Sequence, residues 1–267
     1  MDLLHSIILG IVEGITEFLP VSSTGHMILT SYLLRIDGPI VENFEVFIQL
    51  GAILAVVFLY RERFTRLLDF KSNEGFSGWR GISLLMVTSL PILISGKLLE
   101  HFIKGHLFNP VVVTWALAIG GVVLILVERV RFSHAIEQID ELSYKDALMI
   151  GCFQCFALCP GVSRAASTII GGLANGLKRT AAAEYSFMAA VPVMFIVSIK
   201  DLLDVWNQLS ANDLAAYALG FAVAFGAAIL AVKAFVLLLQ KNNMVPFGIY
   251  RIIVAVVFFL LLRNQPI

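Results

Sequence analysis

Long apolar stretches dominate this chain and leave few folds open to it. Six of them, near 44–60, 81–99, 110–128, 183–203, 214–238 and 246–263, are long enough to cross roughly 30 Å of hydrocarbon as helices. Two further apolar segments, about 3–36 and 144–177, are broken midway, at Pro20 to Gly25 and at Pro160-Gly161-Val162-Ser163. Backbone that leaves the helix at membrane depth must be satisfied by protein or water. Both segments therefore read as re-entrant helix–loop–helix hairpins that enter and leave on one side. The expected fold is all-α: a polytopic membrane protein of six transmembrane helices plus two re-entrant hairpins, forming one membrane domain over residues 1–267. Composition agrees, with 59% hydrophobic and 14% charged residues, against roughly one quarter charged in soluble domains. The formal net charge is zero and there is no basic tail, which removes the electrostatic case for a nucleic-acid partner. The N-terminus lacks a basic region and soon carries Glu13 and Glu17, so no cleaved leader is expected.

Charge bias predicts an orientation. The connection 61–80 carries Arg61, Arg63, Arg66, Lys71 and Arg80; the next, near 129–145, carries Arg129, Arg131 and Lys145; Lys178 and Arg179 follow the second hairpin. The alternate connections hold only Lys97 and Lys104, or Lys200. The positive-inside rule then puts the arginine-rich side in the cytoplasm, both termini outside, and the two hairpins on opposite faces. A weak internal repeat fits this layout. Gly10 to Ser23 resembles Gly151 to Ser163, pairing Pro20 with Pro160 and Ser23 with Ser163, and Glu45-Val-Phe-Ile resembles Glu184-Tyr-Ser-Phe. The repeats span about 1–130 and 140–267, each one hairpin plus three spans, and an odd number of spans inverts the second copy. Inverted repeats commonly place a polar site where the halves meet at the midplane.

The polar residues of the two breaks carry the chemistry. Glu13 and Glu17 lie on one helix face, roughly 6 Å apart at Cβ. Two such carboxylates in low dielectric need a cation between them, or one keeps a proton. A hard divalent ion fits, as does a cationic side chain; a helix end in interfacial water is the plainer reading. Ser22, Ser23, Thr24, Gly25 and His26 follow. Gly25 permits unusual backbone angles, and the next helix turns its first N–H groups toward an anion. A hydroxyl near a histidine is the minimal arrangement for an activated nucleophile or acid–base pair, with Ser23 the preferred nucleophile and His26 its general base or acid; ordinary capping by Ser or Thr is the alternative. In the second break Ser163 can cap a helix and Arg164 offers bidentate donors for phosphate, with Ser167 and Thr168 beyond. Arg164 as a structural ion-pair partner of Glu13 or Glu17 stays open as well.

Other candidates are weaker. Cys152, Cys155 and Cys159 have a metal-like spacing at first sight but read as small buried thiols on one apolar face. Glu45, Gln49, Glu184 and Ser186 line spans beside the hairpins, as a supporting layer or as interfacial residues. His5, His101, His106 and His134 fall near span ends or in connections. Two tips meeting at midplane would join two carboxylates, several hydroxyls, an imidazole, a guanidinium and two helix N-termini inside an apolar wall. Such a site suits an amphiphile with a phosphorylated head and a lipid tail. Phosphoanhydride hydrolysis needs mainly charge stabilisation and a positioned nucleophile; a lipid-phosphate transporter using the same midplane site is the alternative.

The runs Glu13-Gly-Ile-Thr-Glu17-Phe-Leu-Pro20-Val-Ser22-Ser23-Thr24-Gly25-His26 and Pro160-Gly-Val-Ser163-Arg164 resemble the two signature motifs of the undecaprenyl-diphosphate phosphatase family of the bacitracin-resistance type. The resemblance covers the whole chain. It implies a bacterial plasma-membrane hydrolase that removes the terminal phosphate of undecaprenyl diphosphate; the charge bias opens its site to the outer (periplasmic) face. That reaction recycles the lipid carrier for peptidoglycan and confers bacitracin resistance. By the same resemblance Glu13, Glu17, Ser23, His26 and Arg164 are catalytic. Glu13 and Glu17 support a divalent cation, Mg2+ or Ca2+, and Ser22, Thr24, Ser163 and Thr168 bind substrate. The partners implied are the lipid diphosphate and the bilayer, with a second copy of the chain left open. One departure follows the arginine: the family commonly reads Ser-Arg-Ser-Gly-Ala-Thr, and this chain reads Ser163-Arg164-Ala165-Ala166-Ser167-Thr168.

Overall fold

The computed structural model describes residues 2–263 apart from 73, 131, 134, 207 and 208; Arg131 and His134 therefore lie outside the described residues. The described chain is helical, with one isolated backbone bridge between Ile136 and Leu177. The helices are α1 (Leu3–Thr16), α2 (Ser23–Leu34), α3 (Pro39–Leu59), α4 (Arg61–Leu67), α5 (Gly78–Phe102) and α6 (Pro110–Val127). In the second half come α7 (Tyr144–Gln154), α8 (Arg164–Ala174), α9 (Arg179–Val205), α10 (Ala211–Lys241) and α11 (Val245–Arg263). Six of these, α3, α5, α6, α9, α10 and α11, are long and apolar enough to cross a membrane. Each lies where the sequence predicted a span. The largest boundary differences are at two starts, Pro39 rather than 44 and Arg179 rather than 183. Polar residues such as Glu42, Asn43 and Glu45 look like a connection, but Pro39 at the first helical position starts the helix ahead of them.

The two broken segments form two pairs of short helices, α1–α2 and α7–α8. Small residues let α1 lie close on α10: a Cβ at Gly10 would sit 2.8 Å from the Gly220 carbonyl oxygen, and one at Gly14 2.5 Å from that of Ala224. In a bilayer such close approach replaces the hydrophobic drive between helices. The successive contacts make α1 run parallel to α10 and stop beside its middle. On the other side Gly151 of α7 meets α5 in the same way, 2.5 Å from the Thr88 carbonyl oxygen. The packing exchanges when the halves are swapped: α1 on α10 matches α7 on α5, α3 on α10 matches α9 on α5, and α3–α9 and α6–α11 are self-paired.

The arginine-rich connections meet at one end of the bundle. Arg63 pairs with Asp140 (2.5 Å) and with Glu184 (2.9 Å), Arg66 reaches Asp140 (3.4 Å), and Arg179 is paired with Glu128 (2.5 Å). Large apolar side chains such as Trp115, Ile119, Leu230, Leu237 and Ile253 point outward, as a lipid-facing wall requires.

The cysteines depart from expectation. Cys152 is exposed, Cys155 and Cys159 are half-buried, and all three are free. The α-helix ends at Gln154 and gives way to a tighter turn at Cys155–Leu158.

Candidate active site

The tips of the two helix pairs come together, and each is built in the same way. The last turn of α1 carries Glu13 and Glu17, whose N–H donates to the Glu13 carbonyl at 2.9 Å. After the turn through Pro20, Ser22 adopts φ 71° and ψ 94°, and its hydroxyl accepts from the N–H of Gly25 at 3.4 Å to start α2. In the second tip Ser163 adopts φ 77° and ψ 116°, and its hydroxyl accepts from the N–H of Ala166 at 3.2 Å to start α8. Each serine thus caps the N–H three residues beyond itself. The counterpart of Ser163 is therefore Ser22, one residue from the Ser23 suggested by the sequence. Gly25 also departs from expectation. It is helical, and its lack of a side chain serves a close approach: a Cβ would lie 3.0 Å from Leu117. The unusual backbone angles fall on the two serines.

Glu17 and Arg164 join the tips. Arg164 Nη2 donates to Glu17 Oε1 at 2.8 Å, with the two side chains 11% and 7% exposed. Ser23 Oγ donates to the other oxygen of the same carboxylate. Arg164 Nη1 donates to the Ser186 carbonyl at 3.1 Å, Nη2 also lies 3.5 Å from Met194 Sδ, and the guanidinium lies over the Phe18 ring at 5.4 Å. Its Nε–H is buried with no partner among the described residues. Thr168 Oγ1 shares a hydrogen bond with Ser186 Oγ at 2.6 Å, and it also donates to the Arg164 carbonyl at 2.9 Å. Thr24 is half-buried in the first turn of α2.

Glu13 stands apart. It has no exposed surface, and neither carboxylate oxygen accepts a hydrogen bond from the described residues. An unsatisfied buried carboxylate is costly unless a cation or a proton meets it. With Glu17, one turn further along, it offers hard carboxylate oxygens, the kind Mg2+ and Ca2+ take. Among the described residues no third acidic, histidine or cysteine side chain completes that set.

His26 sits elsewhere than expected. Its Nδ1 lies 2.8 Å from the Ser22 carbonyl oxygen and its Nε2 lies 2.7 Å from the Tyr250 hydroxyl. A carbonyl only accepts, so a neutral imidazole here carries its proton on Nδ1 and accepts from Tyr250 at Nε2. The rings are stacked, 5.5 Å between centroids. With both nitrogens engaged and the Ser23 hydroxyl turned to Glu17, the anticipated Ser23–His26 bond is not made.

Of the supporting candidates, Glu45 accepts from Ser31 at 2.5 Å beside the first tip, Ser186 touches the second, and Glu184 belongs to the arginine-rich end. Sequence reasoning missed Tyr250 and Arg251. Arg251 has no exposed surface and bonds to both tips; an arginine inside an apolar span was the available signal. It also borders an apolar groove of about 510 Å³ between α6, α8 and the 153–159 segment, walled by Trp115, Ile119, Phe156 and Ile170.

The profile of the family described as bacitracin resistance protein BacA matches residues 6–257. The chain belongs to that family. Both tips lie inside the match. Among its relatives, the undecaprenyl-diphosphatase of Maridesulfovibrio salexigens is 51% identical over 260 residues, 97% of this chain and 98% of its own. That of Oleidesulfovibrio alaskensis is 50% identical over 260 residues, with the same coverage. That of Lawsonia intracellularis is 46% identical over 259 residues, 96% of this chain and 97% of its own.

Proposed function

We propose that this protein hydrolyses undecaprenyl diphosphate to undecaprenyl phosphate and inorganic phosphate, the activity its relatives are named for. The observation that carries the reading is the meeting of Glu17, Ser23 and Arg164 at one buried point. The transport alternative gains no support from those names.

In the reaction, Arg164 binds the terminal phosphate through its guanidinium, whose unpaired Nε–H is free to donate. Ser23 Oγ attacks the terminal phosphorus and Glu17 accepts the hydroxyl proton, since Glu17 and not His26 is its partner. The bond to the bridging oxygen breaks, the prenyl phosphate leaves, and water then releases phosphate from Ser23. His26 holds the Ser22 backbone and exchanges a proton through Tyr250. Ser22 and Ser163 fix the two helix starts, whose free N–H groups favour the anion, while Thr24 and Thr168 line the phosphate. Glu13 and Glu17 would hold a divalent cation, Mg2+ or Ca2+, which would neutralise charge on the transferring phosphoryl group. Direct attack by water, with Ser23 only binding phosphate, is the competing chemistry.

The exchange symmetry of the packing and the matching serines support an inverted repeat of two re-entrant hairpins. The arginine-rich end faces the cytoplasm by the positive-inside rule. Because α1 begins beside the start of α10 at the opposite end, the first hairpin opens outward, in the bacterial plasma membrane.

Purified protein in detergent should release phosphate from undecaprenyl diphosphate, lose that activity to a chelator and regain it with Mg2+ or Ca2+. Undiminished release by Glu17→Ala or Arg164→Ala would end the site assignment. Trapping with labelled substrate separates the two chemistries: phosphoserine at Ser23 supports covalent transfer, and full turnover by Ser23→Ala excludes it.

A further inference from the structure

A cation at membrane depth without an acidic partner demands an account. Arg251 is fully buried in the apolar helix α11 and makes no salt bridge among the described residues. Its guanidinium has five N–H donors in a rigid fork, and all five meet backbone carbonyl oxygens. Nε donates to Leu117 (3.3 Å), Nη1 to Pro20 (3.3 Å) and Val162 (2.9 Å), and Nη2 to Ala116 (3.1 Å) and Gly161 (2.8 Å).

We propose that Arg251 is a positioning residue for the phosphatase reaction: by tying Pro20 of the first tip to Gly161 and Val162 of the second, it sets the separation between Ser23 and Arg164. The proposal rests on the catalytic reading given above. Pro20 stands three residues before Ser23, and Val162 two before Arg164. These tip carbonyls lie outside regular helix and need donors from elsewhere. No backbone–backbone hydrogen bond joins the tips among the described residues. The Glu17–Arg164 contact does join them, but a substrate phosphate that takes Arg164 competes with it. Arg251 is then the link that survives substrate binding. A second feature points the same way. The α6 surface over the guanidinium is glycine: a Cβ at Gly120 would sit 2.0 Å from Arg251 Nη2. The fold keeps room for this side chain at that helix face.

Phosphate release from undecaprenyl diphosphate, measured per folded molecule, tests the proposal. Misplacement of reacting groups by about 1 Å costs on the order of 100-fold in rate. Arg251→Ala should therefore lose kcat on that order with KM nearly unchanged. Guanidinium ion, which can enter from the adjoining groove, should restore part of the loss, while tetramethylammonium should not. Arg251→Lys keeps charge and bulk but offers three donors for five carbonyls, so it should be impaired like the alanine variant. Gly120→Ala should lower kcat with Arg251 intact, and the double variant Arg251→Ala/Gly120→Ala should be no worse than Arg251→Ala alone. Wild-type kcat in Arg251→Lys or Gly120→Ala, or a loss confined to the amount of folded protein, would overturn the proposal. Glu17→Ala run alongside keeps the two readings apart. If it is inactive while the Arg251 and Gly120 variants turn over normally, only the positioning role falls; if it is fully active, the site itself is misplaced.

Discussion

The two tips share a backbone and differ in charge. Ser22 and Ser163 have nearly the same left-handed conformation, each caps the third N–H beyond itself, and Arg251 holds the carbonyls just before both. Such conformations cost a non-glycine residue about 1–3 kcal/mol and collect at functional sites. On this common frame the first tip carries Glu13 and Glu17 and the second carries Arg164. Each tip therefore brings only one sign of charge to the point where they meet. The proposed chemistry, a phosphate bound beside a general base, needs both signs, so it requires the two tips together.

The largest effect should come from removing one of the two signs. Glu17→Gln or Arg164→Met leaves its partner buried and uncompensated, at roughly 3–5 kcal/mol, and phosphate release should fall by roughly 100- to 1,000-fold. The double variant Glu17→Gln/Arg164→Met should regain much of the thermal stability in detergent and none of the activity. A single variant as stable as the parent would mean that the tips do not depend on each other's charge.

Next come the glycines that seat each hairpin on its neighbour. Gly14→Ala and Gly151→Ala each drive a methyl group toward a carbonyl oxygen 2.5 Å away. Overpacking of this kind costs about 1–3 kcal/mol. Thermal unfolding should show similar losses at the two sites. A large loss at one and none at the other would show that the hairpins are seated by different means.

The root of the second hairpin adds an acid-sensitive brace. Partial burial would raise the Asp140 carboxyl, but the Phe76 N–H and the Arg63 and Arg66 guanidiniums outweigh it and hold the group below its usual range. A depressed acid stabilises the fold above its unfolded pKa of roughly 3.9 and loses that contribution as pH falls through the folded value. Thermal stability should therefore drop below about pH 4 in the parent. The drop should be smaller in Asp140→Asn, which starts less stable at neutral pH. Equal acid sensitivity in both would remove Asp140 from this role.

Much of this architecture is legible in the sequence, because hydrocarbon thickness dictates span length and Pro–Gly–Ser clusters mark the two breaks. The pairing of Glu17 with Arg164 was one of the open alternatives, since buried charges at depth must find each other. What the sequence hid is of two kinds. Arg251 and Tyr250 sit in an apolar run whose mean hydropathy swallows them, and their partners lie far away in sequence, His26 for Tyr250 and both tips for Arg251. The one-residue choice between Ser22 and Ser23 is set by a backbone dihedral that residue type does not reveal, since both are serine. The same limit affected His26: its nearness to Ser23 in sequence suggested a bond that the turn between α1 and α2 gives to Glu17 instead.

The smallest effect separates scaffold from chemistry within each tip. Ser22→Ala and Ser163→Ala lose the cap and keep the left-handed strain, so each should cost about 1 kcal/mol, while glycine at either site gives up the cap but fits the backbone and should cost only a few tenths. If the tips share one frame, this alanine–glycine difference should be the same at Ser22 and Ser163 in thermal unfolding. Ser23→Ala should behave in the opposite way. Ser23 already lies in the helix, where alanine suits the backbone better than glycine, and its hydroxyl serves Glu17, so alanine should be the milder of the two for stability while removing turnover. A Ser22→Gly variant that is stable yet inactive would move the chemistry one residue back, onto the cap itself.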